Sequence, residues 1–181
     1  MIYLIEIDNH NIQHNGDGCA DSLIRNKFSI FLEDKIKKYD ISLVAEEFNK
    51  DALEMSRADV ATVENVVEKL KSEGLKIEHR FCELSLNDRK SRNILSESEI
   101  YRNKLNIHSY LGEKPDLNRD QQKIFDEEMK KSFLARESAW FEKIRDHLNN
   151  NILFICGTDH VISFGSLLMD AGYKTKKQIY K

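Results

Sequence analysis

The chain sets acids and histidines directly behind its short apolar runs. Asp8 and His10 follow residues 2–7, Glu46 and Glu47 follow residues 41–45, and Glu83 follows residues 75–82. Asp159 and His160 follow residues 152–156, the most apolar run of all. An imidazole beside a carboxylate can take a proton from water and return it to a leaving group. The same side chains can hold a divalent cation, which brings the pKa of a bound water toward about 7. Arg136 adds a guanidinium, a planar donor suited to a carboxylate or an oxyanion.

Each of these residues also has a purely structural explanation. Glu46 and Glu47 suit the first turn of a helix or a solvated loop, His160 suits the opening of the helix that follows it, and Arg136 suits a surface ion pair with Glu137 or Glu142. The functional explanation gains weight only because several such groups share one rim. Cys156 stands near His160 as a candidate nucleophile, but it closes an apolar strand and is expected in the core. His14 and His108 lie in polar stretches and are expected at the surface. The chain has no Gly-Lys-Ser or Gly-Lys-Thr phosphate loop, no dinucleotide fingerprint and no Cys-x-x-Cys zinc pair.

The elements that must position these groups follow from periodicity. Residues 2–7 are branched and aromatic and predict a strand, after which residues 8–18 form a polar loop. From about Asp21, Leu23, Ile24, Phe28, Phe31, Leu32 and Ile36 recur at helical spacing, with Lys35, Lys37 and Lys38 at the negative end. A second strand at 41–45 precedes a helix marked by Val60, Val63, Val66, Val67 and Leu70 and stopped by Gly74. Residues 75–82 alternate as a more exposed third strand. The polar stretch 87–106 predicts a helix in its second half, and 119–148 predicts a long helix with a buried stripe that includes Ile124, Leu134 and Trp140. Residues 152–156 suit the centre of a parallel sheet, 162–171 predict a helix, and a short strand near Ile179 ends the chain. The lysines of 174–177 suit a guarded sheet edge. This order predicts one α/β domain over residues 1–181, a three-layer sandwich with a mostly parallel central sheet and a long helical insertion before the fourth strand. Residues 87–114 are expected to be a polar insertion.

Composition narrows the partners. The 28 basic and 31 acidic residues nearly balance, which disfavours nucleic acid and an anionic membrane. Three widely spaced cysteines predict reduced thiols and a cytoplasmic location. No basic leader opens the chain, and no run approaches the roughly 20 apolar residues of a membrane span.

The closing segment carries a family resemblance. Residues 136–144, 152–161 and 164–173 resemble the end of the TraB/ChaN/erythromycin-esterase-like superfamily, in which an arginine-bearing helix precedes an apolar strand ending in Gly-x-x-His. Gly157 and His160 match that motif, and a helix with Leu167, Leu168 and Gly172 follows. The resemblance covers about the last 45 residues. Asp8 and His10, and Glu46 or Glu47, agree with the family only by the order of elements, and Asp-Asn-His stands where Gly-Glu-x-x-His is usual. The resemblance implies an α/β domain with a hydrolytic or metal-assisted site of strand-end Glu and His. Its members are associated with peptide-bond cleavage, ester hydrolysis of macrolides, and haem or iron binding.

Two functional classes are expected from these readings. The first is a small hydrolase in which His160 with Glu46 or Glu47 activates water, and Arg136 stabilises developing negative charge on a small-molecule or peptide-like substrate. Zinc, manganese or iron held by His10, Glu47 and His160 would assist that chemistry. The second is a noncatalytic module of the same fold that binds a ligand or a protein through residues 87–114, or another copy of itself through the long helix.

Overall fold

The computed structural model describes residues 1–108 and 114–180, so residues 109–113 of the expected insertion, and Lys181, lie outside it. In chain order the elements are β1 (Ile2–Ile7), α1 (Ser22–Lys38), β2 (Leu43–Glu46), α2 (Lys50–Met55), α3 (Thr62–Ser72) and β3 (Glu78–Phe81). They continue as α4 (Leu86–Ser91), α5 (Glu97–Lys104), α6 (Arg119–Ile144), β4 (Ile152–Gly157), α7 (Thr158–Asp170) and β5 (Thr175–Ile179). The five strands form one sheet in the order β3-β2-β4-β1-β5. Every pairing in it is parallel.

Side-chain alternation along the strands builds the three layers. Leu153 and Ile155 of β4 and Ile5 and Ile7 of β1 face Phe28, Leu32 and Ile36 of α1 and Val63, Val66, Val67 and Leu70 of α3. The alternate residues Ile152, Phe154, Cys156, Ile2 and Leu4 face Trp140 and Ile144 of α6 and Val161, Phe164 and Leu168 of α7. With both faces covered, β4 needs no polar position until it ends, which is why it is the most apolar run. Full burial of each such side chain contributes about 1.5–3 kcal/mol. The edge strand β5 pairs only with β1, and Lys177 on it reaches across to Glu6.

The structure departs from the sequence reading in several places. Two short helices, α2 and α4, were not anticipated, since neither buries a residue and so neither has an apolar period to show. Their ends are set by the side chains of Asn49 and Ser85, which cap backbone N–H groups. Leu23 and Ile24 on α1 are exposed. In α6 the buried stripe begins only at Ser132, leaving Ile124 and Leu134 exposed. The helix then closes in a 3-10 turn at Arg145–His147. Most consequential, α7 begins at Thr158 and not near residue 162, so His160 belongs to the first turn of a helix rather than to a loop before it. No helix among the described residues is long and apolar enough to cross a membrane.

The three cysteines differ in environment. Cys82 and Cys156 are fully buried and Cys19 is partly exposed. Burial pushes the Cys82 thiol up to about 12 and the Cys156 thiol well above its ordinary value. Both features suppress the reactive thiolate. Ellman's reagent is therefore expected to label one thiol rapidly in the native protein, at Cys19, and the other two only after denaturation.

Candidate active site

The strand order decides which loops meet. β4 lies between β2 and β1, so the carboxyl ends of these three strands bring Glu47, Gly157 and His10 side by side. Ligand sites of open parallel sheets form at this edge. A cavity of about 470 Å³ opens there, with His10, Glu47, Arg136, Asp159 and His160 in its walls.

Arg136 of α6 is the hub. It is largely buried and donates through Nε to both oxygens of Glu83, at 3.2 and 3.1 Å. Nη2 donates to Glu47 at 2.5 Å and to Glu83 at 2.7 Å. Nη1 donates to Nε2 of His160 at 2.9 Å. Burial works to lower its pKa, but the hydrogen bonds and charges of Glu83 and Glu47 outweigh that and raise it. The alternative of a surface ion pair with Glu137 or Glu142 gives way to these buried contacts with Glu83 and Glu47. A guanidinium has five N–H groups. One on Nε, two on Nη2 and one on Nη1 are committed, which leaves a single Nη1 hydrogen for a ligand.

His160 is held on both sides. Because a guanidinium only donates, Nε2 of His160 accepts and the ring proton lies on Nδ1. That Nδ1–H donates to Glu137 at 2.8 Å, and Glu137 also accepts from Ser163 Oγ at 2.5 Å. Phe133 and Trp140 pack against the imidazole, with ring centres 4.1 and 4.8 Å away. His160 is therefore an anchored acceptor whose basic nitrogen is already engaged.

His10 is placed differently. It sits in a 3-10 turn at His10–Ile12 whose entry is capped by the Asn9 side chain. An amide oxygen only accepts, so Nδ1–H of His10 donates to Oε1 of Gln13 at 2.6 Å. Nε2 carries the lone pair and has no hydrogen-bond partner among the described residues. It lies 3.9 Å from Oε2 of Glu47, and the side chain is 42% exposed. The other side of the Gln13 amide donates to Oε2 of Glu46 at 2.6 Å, and Oε1 of Glu46 accepts from Nε2 of His79 at 2.7 Å.

Adjacent glutamates thus take opposite sides of the sheet. Glu46 ends β2 on the α1/α3 side, wholly buried and outside the cavity, where it fixes Gln13. Glu47 turns to the α6 side, with Oε2 accepting from the Gly157 N–H at 2.8 Å. The expectation that Glu46 shares the reacting cavity is corrected, since the period of two along a strand separates neighbouring side chains. Asp8 lines the cavity and accepts from Thr158 Oγ1 at 3.0 Å, and Asp159 is exposed at its mouth.

Two of the three side chains expected to hold a metal, Glu47 and His160, make hydrogen bonds to Arg136, through Oε1 and Nε2. No group of three or more His, Cys, Asp or Glu side chains among the described residues is arranged to hold a metal ion. Cys156 is buried behind the sheet end, which removes it as a nucleophile.

The loop that carries His10 is pinned to the loop after α2. Asn15 Oδ1 accepts from the N–H groups of Asp59 and Val60, at 3.0 and 2.9 Å. Gly16 passes so close to Ser56 that a Cβ would fall 2.1 Å from its carbonyl oxygen, so no larger residue fits. His14, expected at the surface, is buried against Phe48, and its Nδ1 accepts from the Gly16 N–H at 3.2 Å. Gln13, His79 and Glu137 were missed in the sequence. Only the spacing of Gln13 three residues after His10, on one side of a helical turn, gave any sign of them.

Comparisons with protein-family models, with curated proteins and with solved structures yield no match.

Two predictions arise here. Replacing Arg136 by Met leaves Glu47 and Glu83 buried without their cation and should cost about 3–5 kcal/mol in urea unfolding. Adding Glu47→Gln and Glu83→Gln should recover most of that loss. The second concerns His14, whose pKa is lowered from its ordinary value by burial first and by Arg25 second. Its contribution to stability is complete above the unfolded value of about 6.5 and is lost as pH falls through the lower folded value. His14→Phe keeps the stacking and should flatten the wild-type decline in thermal midpoint over that acidic window.

Proposed function

We propose that the protein is a small hydrolase in which His10, rather than His160, is the general base. The observation that carries this reading is the orientation of His10. Its Nδ1–H is locked to Gln13, so Nε2 presents a lone pair to the cavity beside Glu47. In the proposed reaction Nε2 takes a proton from water as the hydroxide oxygen adds to a carbonyl carbon. The Glu47 carboxylate favours the imidazolium so formed. The free Nη1 hydrogen of Arg136 donates to the developing oxyanion, and the imidazolium returns its proton to the leaving group as the bond breaks. His160, held by Glu137, keeps the guanidinium in place. The resemblance of the closing segment supports a hydrolytic reading and adds no substrate. No step passes through a metal.

A noncatalytic binding module is the second reading, and one observation favours it. A groove of about 860 Å³ runs between α6 and α7, lined by Met129, Phe133, Leu134, Ile162 and Leu167. Leu134 and Ile162 are 57% and 72% exposed there.

The test is turnover of purified protein on a panel of simple esters, lactones and amides. His10→Ala should slow hydrolysis by about 10²–10⁴-fold while the thermal midpoint holds. Gln13→Leu should give a smaller loss in kcat with KM unchanged, because the ring is misoriented and not removed. Absence of hydrolysis across the panel, or a full rate in His10→Ala, transfers the weight to the binding reading.

A further inference from the structure

A second cavity of about 430 Å³ lies between α4 and α5, lined by Arg89, Lys90, Ile94, Ser96, Ser98 and Arg102 among others. It shares Arg89, Leu95 and Ser96 with the cavity at the strand ends, so the two are neighbours with Arg89 in the wall of each. Its charge balance is unusual for a nearly neutral protein. Three cations face it and the one carboxylate in its wall, Glu99, is already committed, accepting from the Ser96 N–H and hydroxyl at 2.8 Å each in a capping box.

The other acids nearby are occupied as well. Glu97 accepts from the Tyr101 hydroxyl at 3.2 Å, and Asp88 accepts from Ser85 at 2.6 Å. Among the described residues Arg102 reaches only Asn103 Oδ1, at 3.3 Å. Arg89 and Lys90 have no side-chain hydrogen bond or ion pair among the described residues. Arg89 is half-buried, and burial followed by repulsion from Arg136 lowers its pKa, against the opposing charges of Glu83, Glu99 and Glu47. A half-buried guanidinium that makes no hydrogen bond of its own within the protein keeps its donors available, and a bound oxyanion would satisfy them. The Ser98 side chain adds a hydroxyl on the same wall, whereas that of Ser96 already donates to Glu99.

We propose that this cavity is an oxyanion-binding subsite that takes a phosphate or carboxylate group, with Arg89 as its principal ligand. Its use as a handle on the substrate, setting the scissile bond beside His10, rests on the hydrolytic reading above. The anion site itself does not.

Isothermal titration of the full chain with inorganic phosphate, and separately with citrate at matched ionic strength, tests it. Saturable binding of one equivalent is expected for at least one probe. Arg89→Gln with Arg102→Gln should weaken it by about tenfold or more, as loss of a charge-assisted bond requires. Tighter phosphate binding assigns a phosphorylated substrate, and tighter citrate binding a carboxylate one. His10→Ala should bind the probe as the wild type does, which separates this site from the catalytic proposal. Arg89 makes no bond whose loss would unfold the chain, and an unchanged thermal midpoint verifies that the variant is folded. No saturable binding of either probe, or binding indifferent to the double substitution, overturns the proposal.

Discussion

One guanidinium, that of Arg136, is the constraint on which the strand-end region depends. It is withdrawn from water on the inner side of α6, and its charge is tolerable there because Glu47 and Glu83 arrive from the ends of β2 and β3 to meet it. Desolvation of all three groups opposes the arrangement, and only good geometry with near-complete hydrogen bonding offsets it. The triad also ties the helical layer to the sheet at the position where the sheet opens. His160 completes it by offering a lone pair rather than a competing positive charge.

The same arrangement distributes labour between two histidines that look equivalent in the sequence. Both follow a strand, and both stand near a carboxylate. His160 is gripped through both nitrogens and lies under aromatic rings, whereas His10 is gripped through one and turned to open space. A histidine fixed at Nδ1 and free at Nε2 has a defined tautomer and a defined direction for proton transfer. The chain from His79 through Glu46 and Gln13 supplies that fixation from beneath the sheet, so a wholly buried glutamate acts on the cavity without lining it.

Much of the layer plan was legible because apolar periodicity reports burial directly. The unbroken run of β4 announced the centre of the sheet, and the helical spacing in α1 and α3 announced the layer beneath it. Glu47, His10 and His160 were legible as candidates because strand ends are where such residues are informative, and Arg136 because a guanidinium on the helix before β4 suits a carboxylate or an oxyanion. Their roles were not legible. Alternation separates Glu46 from Glu47, but the sequence does not say where β2 stops pairing, and that point decides which of them turns inward. Glu137 lies in the stretch of α6 where polar residues are ordinarily exposed, and its burial follows only from the position of His160 on another helix. The short helices α2 and α4 bury nothing and left no periodic trace.

Gly157 carries a further consequence. A Cβ at this position would lie 3.0 Å from Nε2 of His10 and 3.5 Å from Oε2 of Glu47, against both side chains. A side chain at this position would crowd the imidazole, and glycine leaves the approach to it clear. Glycine here thus works as an aperture, and its presence or absence offers a simple sorting criterion among kindred sequences: chains with a bulkier residue at the equivalent place would keep the scaffold while covering the exposed nitrogen of the imidazole.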